Sequence, residues 1–103
     1  MTFNFASVDE VVLTLGQRVR AQRLAQGLPQ HELARMAGFS LGALRKLECS
    51  GRSSLDTLVR ALQALGLVHE LDDLFLLRRE SIAGMERAEA ASQRQRAPRS
   101  RKP

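Results

Sequence analysis

The chain has 103 residues with a net charge of +5, and 44% of its residues are hydrophobic although it lacks Trp and Tyr. This length fits one domain with short extensions, and abundant Ala, Leu, Arg, Glu and Gln beside few β-branched and aromatic residues predict an all-α fold. The longest apolar run, Leu74–Leu77, is too short to span a bilayer and the single cysteine excludes an intrachain disulfide, so we expect a cytoplasmic protein.

The first predicted element is a helix that begins near residue 8. Residues 1–7 are expected to form a flexible arm, and Ser7 with Glu10 makes a capping box at its end. Apolar residues then recur at helical spacing, although Gly16 predicts a break that makes the preceding turn a separate piece. Gly27 is expected to end this helix.

The most informative part of the chain is the block PQHELARMAGFSLGALRKLE at residues 29–48. It predicts one helix over Gln30–Ala37 and a second over Leu41–Cys49. Gly38 can adopt the positive φ of the sharp corner between them, and Ser40 is placed to cap the second helix. This pattern is typical of a helix-turn-helix motif, whose second helix enters the major groove of DNA.

Two more helices are predicted after this block. Ser53 or Ser54 caps the fourth helix and Gly66 closes it. The fifth covers Val68–Leu76. It carries more apolar residues than one short terminal helix needs for packing against the core of its own domain. We therefore expect a homodimer interface here, with pure core packing as the alternative. The predicted interface residues are Leu67, Val68, Leu71, Leu74 and Phe75.

These elements predict a compact five-helix domain over residues 8–77, followed by a C-terminal extension over residues 78–103. Within the extension we expect a weaker helix over residues 81–92 and a disordered basic tail from residue 93. Residues 94–103 carry five basic side chains and no acidic one, and residues 13–66 carry eight basic and three acidic. Positive charge is therefore concentrated on the helix-turn-helix part and on the tail, which is typical of nucleic-acid binding.

Residues 15–75 resemble the lambda-repressor-like, Cro/C1-type (XRE) DNA-binding domain. The resemblance is carried by LGQRVRAQRLAQGL at residues 15–28, by the block at 29–48 and by SLDTLVRALQALGL at 54–67. Two features depart from the family pattern. Pro29 stands where a capping Thr or Ser is common, and the start of the second motif helix is apolar where it is often polar.

The resemblance implies three kinds of contact with double-stranded DNA. Polar residues at the helix starts, on the first helix and after the second motif helix would bind phosphates, and Gln30 would bind a phosphate or an outer base. The apolar start of the second motif helix would touch thymine methyls, although Leu41 is equally well explained as a packing residue. Cations one turn later would reach a guanine edge or the backbone. The implied DNA-binding residues are Arg18, Gln30, Ser40, Leu41, Gly42, Arg45, Lys46, Ser50 and Arg52.

The resemblance also implies a structural ion pair between Arg23 and Glu48. By contrast, no catalytic constellation or phosphate-binding loop is evident, and His31 and His69 stand apart from other metal-ligating residues. Cys49 is expected to be a partly buried structural residue. We therefore expect neither an enzyme nor a bound metal or cofactor.

Together these features predict a sequence-specific, autoregulatory repressor that binds an inverted-repeat operator as a homodimer. Two settings are open: the HipB-like antitoxin of a toxin–antitoxin operon, with a HipA-like kinase toxin as partner, or a free-standing phage-type repressor. The first setting is suggested by a loose resemblance of residues 62–75 and of the tail to HipB-like proteins. A protein-interaction adaptor on a helix-turn-helix scaffold is the alternative from another class.

Overall fold

The computed structural model describes residues 2–77, which form four α-helices and one 3₁₀ turn and contain no strand. The all-α prediction is confirmed for this part of the chain. The chain divides into two units, residues 1–72 and residues 73–103. The predicted helix over 81–92 and the tail from 93 lie outside the described residues. The elements are α1 (Val8–Ala25), α2 (Gln30–Ala37), α3 (Leu41–Ser50), α4 (Leu55–Ala64) and the 3₁₀ turn Val68–Leu71.

Helix α1 begins with the predicted capping box. The Ser7 hydroxyl accepts a hydrogen bond from the Glu10 N–H at 3.1 Å, and the Glu10 carboxylate accepts one from the Ser7 N–H at 3.2 Å. The predicted break at Gly16 is wrong, because α1 runs without interruption to Ala25. Gly16 is buried against α3, where a Cβ would lie 2.9 Å from the Gly51 Cα. The glycine therefore serves close helix approach and not helix termination.

The two helices of the helix-turn-helix motif, and the corner between them, lie close to where the sequence predicts them. Helix α2 begins and ends at the predicted residues, and α3 is one residue longer than predicted. Gly38 adopts φ 80° between them, and its N–H donates to the Ala34 carbonyl at 2.9 Å. The left-handed conformation satisfies a carbonyl at the end of α2 while it turns the chain into α3. The angle between the two helices is thus fixed by backbone bonding as well as by packing.

A small core holds the helices together. Leu33, Leu44 and Leu47 are fully buried, one from α2 and two from α3. From α4 the fully buried residue is Ala61, whereas Leu55, the first residue of this helix, is 76% exposed. Small Ala61 brings α4 close to α2. The remaining buried apolar residues within positions 2–77 are Val19, Ala34, Ala37 and Leu65.

The fifth α-helix predicted over Val68–Leu76 is wrong. A 3₁₀ turn occupies Val68–Leu71, and no side chain caps its start. Further on, Phe75 adopts φ 60°, a left-handed conformation that ends a helix and is unfavourable for a bulky side chain. Apolar spacing predicted an α-helix here, but the segment starts without a side-chain cap, tightens into a 3₁₀ turn and adopts a left-handed conformation at Phe75.

Candidate nucleic-acid interface

Helix α3 separates its buried and exposed faces cleanly. Leu44, Leu47 and Glu48 are buried, whereas Arg45 and Lys46 are exposed. At 100° per residue, these two cations point away from the core on the face opposite to the leucines. They lie on the second helix of the motif, which is the element that enters the major groove in this architecture.

The start of α3 combines a capped N-terminus with an apolar surface. The Ser40 hydroxyl accepts a hydrogen bond from the Ala43 N–H at 3.0 Å, and this leaves the hydroxyl proton for donation to a phosphate. Leu41 and Ala43 are half-buried and Gly42 is exposed. Contact with thymine methyls and packing against neighbouring residues are both compatible with a half-buried Leu41.

A buried ion pair fastens α1 to α3. The Arg23 Nε and Nη2 atoms donate to the Glu48 carboxylate at 2.7 and 2.9 Å, and Nη1 donates to the Leu28 carbonyl at 2.8 Å. The hydrogen bond to Glu48 raises the pKa of the Arg23 guanidinium above its ordinary value. The structure thus contains the pair that the family resemblance implied. A third bond to this carboxylate comes from the Gln30 amide at 3.1 Å, so the start of α2 is tied to the same centre.

In the described part of the chain, the exposed arginines outside α1 and α3 are paired with acidic side chains. Arg35 pairs with Glu32, and Arg60 pairs with Asp56 within its own helix. Among residues 2–77, no ion pair involves Arg20, Arg45 or Lys46, and these three cations lie on α1 and α3. A surface cation that has no acidic partner does not have to break an ion pair before it binds a phosphate. These three side chains are therefore the ones most available to the DNA backbone.

Three predicted phosphate-binding residues have partners within the chain. The Arg52 guanidinium pairs with Asp9 at the start of α1. The Ser50 hydroxyl donates to the Lys46 carbonyl at 2.8 Å and accepts from the Arg52 N–H at 3.2 Å, so it shapes the loop after α3. Arg18 lies over the Phe3 ring, 5.1 Å from its centre, in a cation–π contact that leaves its N–H groups capable of hydrogen bonding.

The structure also brings together residues that the sequence analysis did not connect. A shallow depression is lined from α1 by Gln17 and Arg20 beside Gln30, Arg45 and Glu48. Gln17 and Arg20 were absent from the predicted site. Gln17, Arg20 and Arg23 follow one another at three-residue spacing and therefore lie on neighbouring positions of one face of α1. Because Arg23 was expected to pair with Glu48, the sequence did contain a signal that this face lies next to α3.

The predicted dimer residues are distributed over both units. Leu67 packs against the core, Leu71 is half-buried and Val68 is 41% exposed. Leu74 and Phe75 belong to the second unit. Leu67 therefore has a packing role inside the domain, and Val68 is the most accessible apolar side chain of the 3₁₀ turn.

Other kinds of site find little support in the described part of the chain. Within residues 2–77 there is no group of three His, Cys, Asp or Glu side chains that could hold a metal ion. None of the helices in that range combines the length and the hydropathy that crossing a bilayer requires. Cys49 is exposed, so its prediction as a partly buried residue is wrong.

Two helices around a left-handed glycine, with the second exposing cations opposite a leucine core, define a helix-turn-helix domain. The family model described as helix-turn-helix matches residues 19–72, and the chain belongs to this family, which is of the XRE, Cro/C1 type. The match supports a DNA-binding transcription regulator. A comparison with curated proteins found no match.

Proposed function

We propose that this protein is a sequence-specific transcriptional repressor that binds an inverted-repeat operator as a homodimer and regulates its own promoter. The observation that carries the proposal is the location of the cations without an acidic partner in residues 2–77. Arg45 and Lys46 lie exposed on the second helix of the motif, where side chains reach base edges in the major groove.

The arrangement of α3 assigns different tasks to its residues. The capped N-terminus and the Ser40 hydroxyl suit phosphate binding, because backbone N–H groups and the helix dipole favour an anion there. Gly42 lets the backbone approach the DNA closely, and Arg45 and Lys46 supply donors for guanine or the backbone. Hydrogen-bonded base recognition would therefore depend on the second turn of α3 and not on its apolar first turn.

The experiment is fluorescence anisotropy with a labelled duplex from upstream of the reading frame and an unrelated duplex as competitor. We expect the double variant R45Q/K46Q to lose at least about tenfold in affinity for the upstream duplex, since one good base contact contributes about 1–3 kcal/mol. The matched control is R35Q/R60Q, which removes the same charge from two ion-paired arginines and should change affinity much less.

The outcome distinguishes the repressor from the adaptor. Equal affinities for the two double variants, with unchanged helicity by circular dichroism, would contradict the assignment of α3. Binding of the wild-type chain that is equally weak for every duplex and vanishes with salt would show charge attraction alone, and would favour the protein-interaction adaptor.

Dimerisation is tested separately by sedimentation at micromolar concentration. A dimer would place two copies of α3 about 34 Å apart, one turn of DNA. We expect Val68→Glu to give monomers that bind a single half-site weakly. A wild-type monomer on its operator would contradict this part of the proposal.

The biological setting remains a proposal of its own. A HipB-like antitoxin requires a HipA-like kinase encoded beside this chain, whereas a free-standing repressor does not. Much of the resemblance behind the first setting lies in the tail, beyond residue 77. The neighbouring reading frame, and copurification of its product with the full chain, distinguishes the two settings.

A further inference from the structure

The depression between α1 and α3 has a volume of about 420 Å³ and collects polar side chains from three helices. We propose that it binds a phosphate of the DNA backbone, and that Arg20 of α1 is a DNA-contacting residue. This inference depends on the proposed function and deepens it, because it adds a second residue of α1, besides Arg18, to the surface that meets the duplex. The lining residues are Gln17, Arg20, Gln30, Arg45, Glu48 and Cys49.

The charge of the lining favours an anion. The Glu48 carboxylate is the acidic group of the depression, and it accepts two hydrogen bonds from Arg23 and one from Gln30. Its negative charge is therefore balanced by the guanidinium behind it. Arg20 and Arg45 take part in no ion pair among residues 2–77, so they leave an excess of two positive charges around the opening.

The position of the depression links it to the motif. Gln30 begins α2 and Arg45 lies on the exposed face of α3, and both belong to the residues for which the family resemblance implies DNA contact. A duplex that contacts these two side chains would also lie next to Arg20, which lines the same depression. Arg20 is exposed on α1, and its long side chain can follow a phosphate without any movement of the helix.

The salt dependence of DNA binding tests the role of Arg20. We expect R20Q to lower the slope of log affinity against log salt by about one unit, because each phosphate contact contributes about 0.9 to that slope. R35Q removes an equal charge from a surface arginine outside the depression and should keep the wild-type slope. R20K, which retains the charge, should also keep most of it. The probe is a duplex of about 30 base pairs, three helical turns.

The exposed thiol provides an independent measurement that needs no substitution. Cys49 is the one cysteine of the chain and lines the depression. Its alkylation by iodoacetamide should slow in proportion to the fraction of protein bound to the duplex. R35Q protein should show the same protection.

Two results would overturn the inference while leaving the proposed function intact. These are a wild-type salt slope in R20Q, or a Cys49 that reacts at the free rate in a DNA complex shown by anisotropy to be saturated. If the wild-type chain binds no duplex in a salt-dependent manner, both the inference and the proposed function fail. Circular dichroism of R20Q confirms that any loss of slope arises in a folded protein.

Discussion

Removing the carboxylate that joins α1, α2 and α3 should destabilise the domain severely. In Glu48→Gln the new amide has one carbonyl acceptor where the carboxylate accepted three hydrogen bonds, and its NH₂ group opposes the donors of Arg23. The side chains of Arg23 and Glu48 are 7% and 2% exposed, so the guanidinium would remain buried in the variant. Its main hydrogen-bond acceptor would then be the Leu28 carbonyl. Leaving one member of a buried pair uncompensated costs about 3–5 kcal/mol.

The free energy of unfolding of a natural domain is about 5–15 kcal/mol, and a domain this small lies near the low end of that range. The loss expected for Glu48→Gln therefore approaches the whole stability of this domain. For this length, about 4–8 °C of melting temperature corresponds to each kcal/mol, so Glu48→Gln should melt about 12–40 °C below the wild type. Urea unfolding followed by circular dichroism measures the free energy directly. A loss under about 1 kcal/mol would refute the reasoning. The double variant Arg23→Met with Glu48→Leu should recover most of the stability, since apolar replacement removes both buried charges.

Further predictions concern the close helix contact and the paired cation after α3. Gly16→Ala should cost at least about 2 kcal/mol in urea unfolding because the new methyl would press on the backbone of α3. By contrast, Gly42→Ala should gain about 0.5–1 kcal/mol, because its Cβ would make only an ordinary contact with the Ser40 hydroxyl at 3.9 Å. Equal effects would contradict the packing argument. Asp9→Asn should raise DNA affinity about two- to fivefold by releasing Arg52 from its exposed partner, and a similar rise in Asp56→Asn would show that net charge alone is responsible.

The sequence predicted those features that depend on neighbouring residues. The capping box at the start of α1, the bounds of α2 and the corner at Gly38 all follow from preferences acting within a few residues. They were therefore visible in the block of residues 29–48 and in the residues before it. The family resemblance extended this to the pairing of Arg23 with Glu48, which are 25 residues apart.

Features that depend on packing between distant segments were not predictable in the same way. Gly16 looked like a helix breaker because its role is set by the backbone of α3, more than thirty residues later. Arg52 looked available for phosphate, but Asp9 pairs with it across 43 residues. Apolar spacing after Gly66 predicted a helix, because periodicity does not register the missing cap or the left-handed Phe75.

The hydrogen bond from Gln30 to Glu48 has a consequence for the thermodynamics of binding. An exposed glutamine has several rotatable bonds, and fixing such a side chain on a ligand costs about 0.5–1.5 kcal/mol in entropy. Here the amide is already held at 3.1 Å from a buried carboxylate, and it retains a second N–H and a carbonyl oxygen for a ligand. Folding has thus already restricted this side chain, so a duplex would meet a preorganised donor at the start of α2.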